Sequence, residues 1–264
     1  MSRPFLLVQL SDPHVGAEWG GGVDPVARLA ETVAAVRALE PSPDAVLISG
    51  DLADNGADAE YEQVRELVGQ IEAPLHPLPG NHDDRAALRR LFGLPGTGDQ
   101  PVQYAADLGP LRLVVVDTVR AGEDRGELDL DRLGWLEATL AEAPERPTML
   151  ALHHPPVRTG IAAIDEIGLP PADQRALGEV VAGHPQVRRI VAGHLHLSVA
   201  AELRGRSVVV APSTFVQAEL DFDADEISLS AEPPGFAVHT FLDDELVSHV
   251  QAVLPSAAQV IASS

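Results

Sequence analysis

Five short blocks of residues able to hold metal ions follow one another along this chain: Asp12-Pro13-His14, Gly50-Asp51, Gly80-Asn81-His82-Asp83, His153-His154-Pro155-Pro156 and Gly193-His194-Leu195-His196. Six of the ten histidines fall inside them, which scattered surface histidines would not do. Carboxylate, imidazole and amide oxygen without sulfur form a donor set for borderline first-row ions such as manganese, iron, cobalt or zinc, rather than for calcium or copper(I). Two such ions about 3.5–4 Å apart can lower the pKa of a shared water and hold both the attacking and the leaving oxygen of an in-line displacement at phosphorus. An imidazole beside them can protonate the leaving oxygen. The ordered set is the ligand inventory of a two-metal hydrolase.

Composition removes several other chemistries. The chain has no cysteine, so disulfides, thiolate metal sites and cysteine nucleophiles are excluded. All 18 basic residues are arginine, and the absence of lysine excludes P-loop phosphate binding and Schiff-base catalysis. A formal charge of −22 argues against a long nucleic acid as partner, which needs clustered positive charge. A small anion can still be drawn in by bound metal. At 264 residues with 45% apolar content, the chain can bury a large core, and one α/β domain over residues 1–264 is expected, its core at about 5–250. The apolar run at 5–10 ends at Asp12, too short for a signal-peptide core or a membrane span, so a cytoplasmic protein with no membrane partner is expected.

The elements that must position the blocks alternate in βαβ rhythm. Strands are predicted at 5–10, 45–49, 148–152 and 188–191, a short extended segment at 74–79, and a hairpin at 102–107 and 111–117 that introduces a mixed sheet. Helices are predicted from Asp24-Pro25 to about residue 39, and at 58–71, 83–92, 130–143 and 172–182. Each block then follows a strand, where open α/β sheets gather ligands at the carboxyl ends. Asp12 and His14, two apart on an extended segment, are expected to point the same way, and so are His194 and His196. After His196, short strands at 199–203, 207–211, 236–241 and 245–250 are read as an antiparallel second sheet. The acidic stretch 218–235 is expected to be an exposed loop, and 255–264 a frayed tail.

Taken together, the blocks resemble the calcineurin-like metallophosphoesterase superfamily, whose pattern is D-x-H, G-D, G-N-H-[DE], a later H, and G-H-x-H. All five are present, in order, across about residues 5 to 250. The wording around them, Gly50-Asp51-Leu52-Ala53-Asp54 and Gly80-Asn81-His82-Asp83-Asp84-Arg85, is most similar to class III 3′,5′-cyclic-nucleotide phosphodiesterases.

The resemblance implies a four-layer α/β/β/α sandwich of two mixed β-sheets with the site at one edge. It implies two divalent or mixed-valence transition-metal ions (Mn, Fe, Zn or Co). Asp12, His14 and His196 would hold the first, Asp51 would bridge, and Asn81, His153 and His194 would complete the second. His153 is preferred over His154 because the family's later histidine reads H-x-P. His82 matches the substrate-facing catalytic histidine, and Asp83 is expected to orient it through a hydrogen bond. Only two of these ligands are carboxylates, so a pair of divalent ions leaves the centre with a charge of about +2, suited to a phosphate ester. Purple acid phosphatases carry a tyrosine three residues after the bridging aspartate; here that position is Asp54, so a tyrosinate–iron(III) site is not expected.

The function this implies is hydrolysis of a small phosphodiester, foremost a 3′,5′-cyclic nucleotide such as cyclic AMP, to the monophosphate by a metal-bridged hydroxide. The alternatives are a glycerophosphodiester or broad-specificity phosphodiesterase, a phosphomonoesterase, or a noncatalytic metal-binding scaffold, whose usual sign, lost ligands, is missing. A homodimer is implied by the resemblance alone. Asp54 is open between supporting a ligand and a turn role. Trp19 is open between stacking on a base and a plain connection, and Phe215 reads as core. His76, His184, His239 and His249 lie outside every block and read as ordinary surface or packed histidines.

Overall fold

The computed structural model describes residues 3–254, so the expected frayed tail lies outside the described residues. The chain runs β1 Phe5–Leu10, α1 Pro25–Arg37, β2 Ala45–Ser49, α2 Asp58–Val68, β3 Leu75–Leu78, α3 Arg85–Phe92, β4 Tyr104–Leu108 and β5 Leu111–Val115. It continues through α4 Leu130–Ala141, β6 Thr148–Ala151, α5 Ala162–Ile167, α6 Pro171–Gly183, β7 Val187–Ala192, β8 Val199–Leu203 and β9 Arg206–Val210. The last elements are β10 Gln217–Ala218, β11 Leu229–Ser230, β12 Gly235–Leu242 and β13 Glu245–Ala252.

Alternation along the strands builds the layers. On β1, Leu6, Val8 and Leu10 point to one face, where they meet Leu29, Val33 and Val36 of α1 and Tyr61 and Val64 of α2. Leu7 points to the other face and packs with Leu47, Leu113, Met149 and Val191 between the two sheets. The second sheet buries Val114, Leu150 and Ile190 under Leu133 and Leu136 of α4 and Leu177 and Val181 of α6. These three cores make the α/β/β/α sandwich: a five-stranded sheet ordered β13-β12-β1-β2-β3 facing a six-stranded one ordered β4-β5-β6-β7-β9-β8. Both are mixed, β1-β2-β3 being parallel in one and β5-β6-β7-β9 in the other.

The strands after His196 do not form a second sheet of their own. β8 and β9 extend the sheet of β5–β7, whereas β12 returns to pair antiparallel with β1, from Phe5 opposite Phe241 to Gln9 opposite Ala237. Without β12, the buried strand β1 would lie at a sheet edge with unpaired backbone groups. The stretch 218–235 is likewise not a plain exposed loop: β10 pairs with β11, and that hairpin reaches the candidate site. No described helix is long and apolar enough to cross a membrane.

Candidate metal centre

Five parallel strands, β1, β2, β3, β6 and β7, deliver the five blocks from their carboxyl ends. The loops then zip together: His14 N donates to Asp51 O at 2.9 Å, Gly193 N to His153 O at 3.0 Å, and His194 N to both carboxylate oxygens of Asp12 at 3.0 Å. Packing is so close that a Cβ on Gly80 would stand 2.1 Å from Asp51 Oδ1, and one on Gly50 2.1 Å from His153 Nδ1. The glycines of these blocks are there for want of room.

The paired residues converge, but not on extended backbone as expected. Asp12 (φ 51°), His14 (φ 43°), Asp51 (φ 49°), His194 (φ 71°) and His196 (φ 51°) all lie in the left-handed region. A left-handed residue turns the chain at each donor, which brings neighbouring donors around one point. Such conformations cost about 1–3 kcal/mol each and persist where surrounding contacts over-determine them.

Asp12, His14 and His196 form one group of donors within 4.8 Å of one another, and Asp12, Asp51 and His153 another. Asp51 Oδ2 lies 3.5 Å from His14 Nε2 and 3.4 Å from His153 Nε2, between the two sets. Asn81 Oδ1 is 3.1 Å from His153 Nε2. Behind the rings, His14 Nδ1 meets Asp54 Oδ1 at 3.0 Å, while His153 Nδ1, His196 Nδ1 and His194 Nε2 donate to the carbonyls of Ser49, Val216 and Ile167 at 2.8, 2.9 and 2.9 Å. One nitrogen of each ring is fixed from outside and the other is aimed inward, which is how metal-binding histidines are held. The residues fit a metal pair by this test. His14 Nε2 and His196 Nε2 face each other at 3.1 Å with both protons on the far nitrogens, an opposition of lone pairs that a cation relieves.

His154 presents no free nitrogen. Thr118 Oγ1 donates to its Nδ1 at 2.8 Å, and its Nε2 donates to the Asp124 carbonyl at 3.0 Å. Of the adjacent pair, His153 is the one facing the centre.

The electrostatics favour positive charge at the centre. Burial drives His153 down, but Asp51 and Asp12 outweigh it and raise its pKa to about 9. Burial drives Asp51 up, yet His153, His14 and His82 hold it well below the carboxylate range. Burial and then the charge of His153 push His194 down to about 3, and burial with His14 lowers His196. His194, His196 and Asp51 are thereby in metal-binding form, neutral imidazole and ionised carboxylate, whereas His153 would give up its proton to an ion.

Asp83 does not orient His82. Its buried carboxylate accepts the backbone N–H groups of Gly80, Ala53 and Leu52 at 2.8, 3.1 and 3.2 Å, clamping the Gly80–Asn81 turn to the loop of Asp51. A carboxylate inside two tight loops bonds the nearest orphan donors, which are backbone amides. His82 is held instead by Asp54, whose carbonyl receives Nδ1–H at 3.0 Å. Asp54 therefore touches His14, His82 and the Trp19 Nε1–H, this last at 3.0 Å. Sequence reasoning left it undecided, and its place three residues after Asp51 was the signal.

A cavity of about 370 Å³ opens over these donors, with His82 and Asp124 at its side and Trp19, Ile164, Ile167, Ile227 and Leu229 on its walls. Phe215 is fully buried and meets Trp19 edge-on at 5.1 Å, so it supports the wall instead of facing a ligand.

Among known proteins, the glycerophosphodiester phosphodiesterase GpdQ of Enterobacter lignolyticus is 32% identical over 93% of this chain and 90% of its own length. The cAMP/cGMP dual specificity phosphodiesterase MT0825 of Mycobacterium tuberculosis is 39% identical over 80% and 68%. A dimetal phosphatase from Danio rerio has the same fold, with a TM-score of 0.71 at 18% identity over 96% of this chain and 98% of its own. Residues 5–198, which carry every candidate donor, match the family described as Calcineurin-like phosphoesterase, and the chain belongs to that family.

Proposed function

We propose that this protein hydrolyses a small phosphodiester at a dinuclear metal centre, with a 3′,5′-cyclic nucleotide as the substrate class. Asp12, His14 and His196 would hold one ion, Asn81, His153 and His194 the other, and Asp51, between the two sets of donors, would serve both. The observation that carries this reading is the cavity. Among the described residues its lining includes neither arginine nor lysine, so bound ions would be what meets the phosphate charge. The walls of Trp19, Ile227 and Leu229 offer apolar cover for a base.

Bound ions supply Lewis-acid charge for the phosphoryl oxygens and lower the pKa of water. The chain does the rest. Water oxygen attacks phosphorus in line and the opposite P–O ester bond breaks; the proton that water loses passes to His82 Nε2 and from there to the leaving oxygen. His82, half-buried and fixed at Nδ1 by Asp54, presents Nε2 to the cavity and gives that proton.

A glycerophosphodiester is the second reading, favoured by the relative of that name, which matches over nearly its full length. Comparing kcat/KM for cyclic AMP and glycerophosphodiesters with Mn²⁺-loaded protein tests the choice. A preference for cyclic AMP supports the first, the reverse supports the second, and no diester hydrolysis sinks both.

A further inference from the structure

The apolar interface between the two sheets turns polar as it nears the metal centre. Gln9 follows Leu7 on the inward face of β1, and His239 of β12 lies beside it, both essentially without solvent exposure. An apolar pair would pack there with nothing to satisfy, so each polar atom needs a partner.

The partners form one directed chain. Arg189 donates through NH1 to Ser248 Oγ at 2.7 Å, and Ser248 Oγ donates to His239 Nδ1 at 2.6 Å. His239 Nε2–H donates to Gln9 Oε1 at 3.0 Å, and the Gln9 amide donates to Ser49 Oγ at 2.8 Å and to the Ala192 carbonyl at 2.9 Å. Ser49 Oγ donates to Ser11 Oγ at 2.7 Å, and Ser11 Oγ donates to Asp12 Oδ2. Every proton in the chain is given toward Asp12. It begins at Arg189 and Ser248, in a groove between β8 and β13 on the open side of the sandwich, and ends on a carboxylate at the metal centre. Directed chains of this kind polarise one another and hold their last acceptor in one orientation.

Asp12 needs that hold. Its backbone is left-handed, and its two oxygens have different tasks. Both accept the His194 N–H, but Oδ2 is also taken by Ser11, whereas Oδ1 lies 4.0 Å from the inward-facing His196 Nε2, on the side of the other donors.

We infer that Gln9 and His239 are positioning residues for the metal centre: by keeping the Ser11 hydroxyl proton on Asp12 Oδ2, they present Asp12 Oδ1 to an ion. This rests on the metal-centre reading above. The bonds from Arg189 to Ser248 and from Gln9 to the Ala192 carbonyl cross from one sheet to the other, so the packing of the sandwich itself sets the aim of one ligand. Packed histidines outside the motif blocks, such as His239, thereby gain a part in the site.

The test is Mn²⁺ binding to metal-free full-length protein by calorimetry, with the visible spectrum of the Co²⁺-loaded protein as a second readout. Ser11→Ala removes the last donor with little change of volume and leaves Ser49 able to donate to the Leu10 carbonyl, 3.2 Å away. It is expected to weaken one of two Mn²⁺ sites by about tenfold or more and to shift the Co²⁺ spectrum, with the melting temperature nearly kept. The double variant Gln9→Leu with His239→Phe is expected to do the same, and His239→Gln, which restores the N–H to Gln9, is expected to bind as the parent does. Unchanged Mn²⁺ binding in Ser11→Ala overturns the inference, whether or not the double variant folds. Equal weakening by His239→Gln and His239→Phe overturns it too, since donation would then be irrelevant. A parent protein that takes up no Mn²⁺ sinks the metal-centre reading instead.

Discussion

His14 Nε2 and His196 Nε2 stand 3.1 Å apart, each aimed at the other by a bond from its opposite nitrogen, from His14 Nδ1–H to Asp54 and from His196 Nδ1–H to the Val216 carbonyl. Residues 182 positions apart in sequence are thus held at a distance that suits neither a hydrogen bond between two neutral acceptors nor simple packing. A cation between them removes the conflict. Metal should therefore stabilise the fold: a saturating ion at about 1,000 times its Kd adds about 4 kcal/mol. Thermal melts with Mn²⁺ and with chelator measure this, and His196→Ala should shrink the difference; equal melting temperatures with and without ion would count against the centre.

Asn81 and His82 are neighbours with separable tasks. Asn81→Ala should lower the affinity for one ion, because its Oδ1 faces His153 Nε2. His82→Ala should leave two ions bound and reduce kcat by about 10²–10⁴, the range for a lost general acid. Metal content by mass spectrometry alongside kcat distinguishes them, and full turnover in the His82 variant would remove its role as proton donor.

Asp83→Ala strands three backbone donors that its carboxylate now accepts. A buried donor left alone costs about 1–3 kcal/mol. The expected result is a variant destabilised by about 2 kcal/mol or more in urea unfolding. A variant as stable as its parent with kcat alone reduced would return Asp83 to the catalytic role.

His239 sets an acid limb on stability. Burial, then the charges of Arg189 and His249, push its pKa down to about 3, against 6.5 when unfolded. The unfolded chain binds the extra proton between those values, so this contribution is whole above pH 6.5 and is lost as pH falls toward 3. Urea midpoints measured across that window should fall less steeply for His239→Gln than for the parent.

Local sequence determined much of this protein. The motif blocks named the family, strand and helix periodicity placed the βαβ elements within a few residues, and the caps were legible too: Asp24, read as the start of a helix, accepts the N–H groups of Val26 and Ala27. The Arg204-Gly205 turn, with φ of 50° and 77°, was also written locally, since a tight hairpin needs positive φ there. These features depend on neighbours a few residues away, which is what a sequence pattern records.

Tertiary structure alone decided the rest. Strand partners are chosen by burial across the whole chain, so β12 pairs with β1 more than 200 residues earlier, and the C-terminal strands divide between two sheets. Residue spacing could not reveal that the donors converge through left-handed backbone, because only packed loops make that conformation worth its strain. Nor could it give Asp83 its amide partners, bring Ile227 and Leu229 to the cavity wall, or connect His239 to Asp12. Those relationships exist only where distant segments are pressed together and every buried polar group must find a partner.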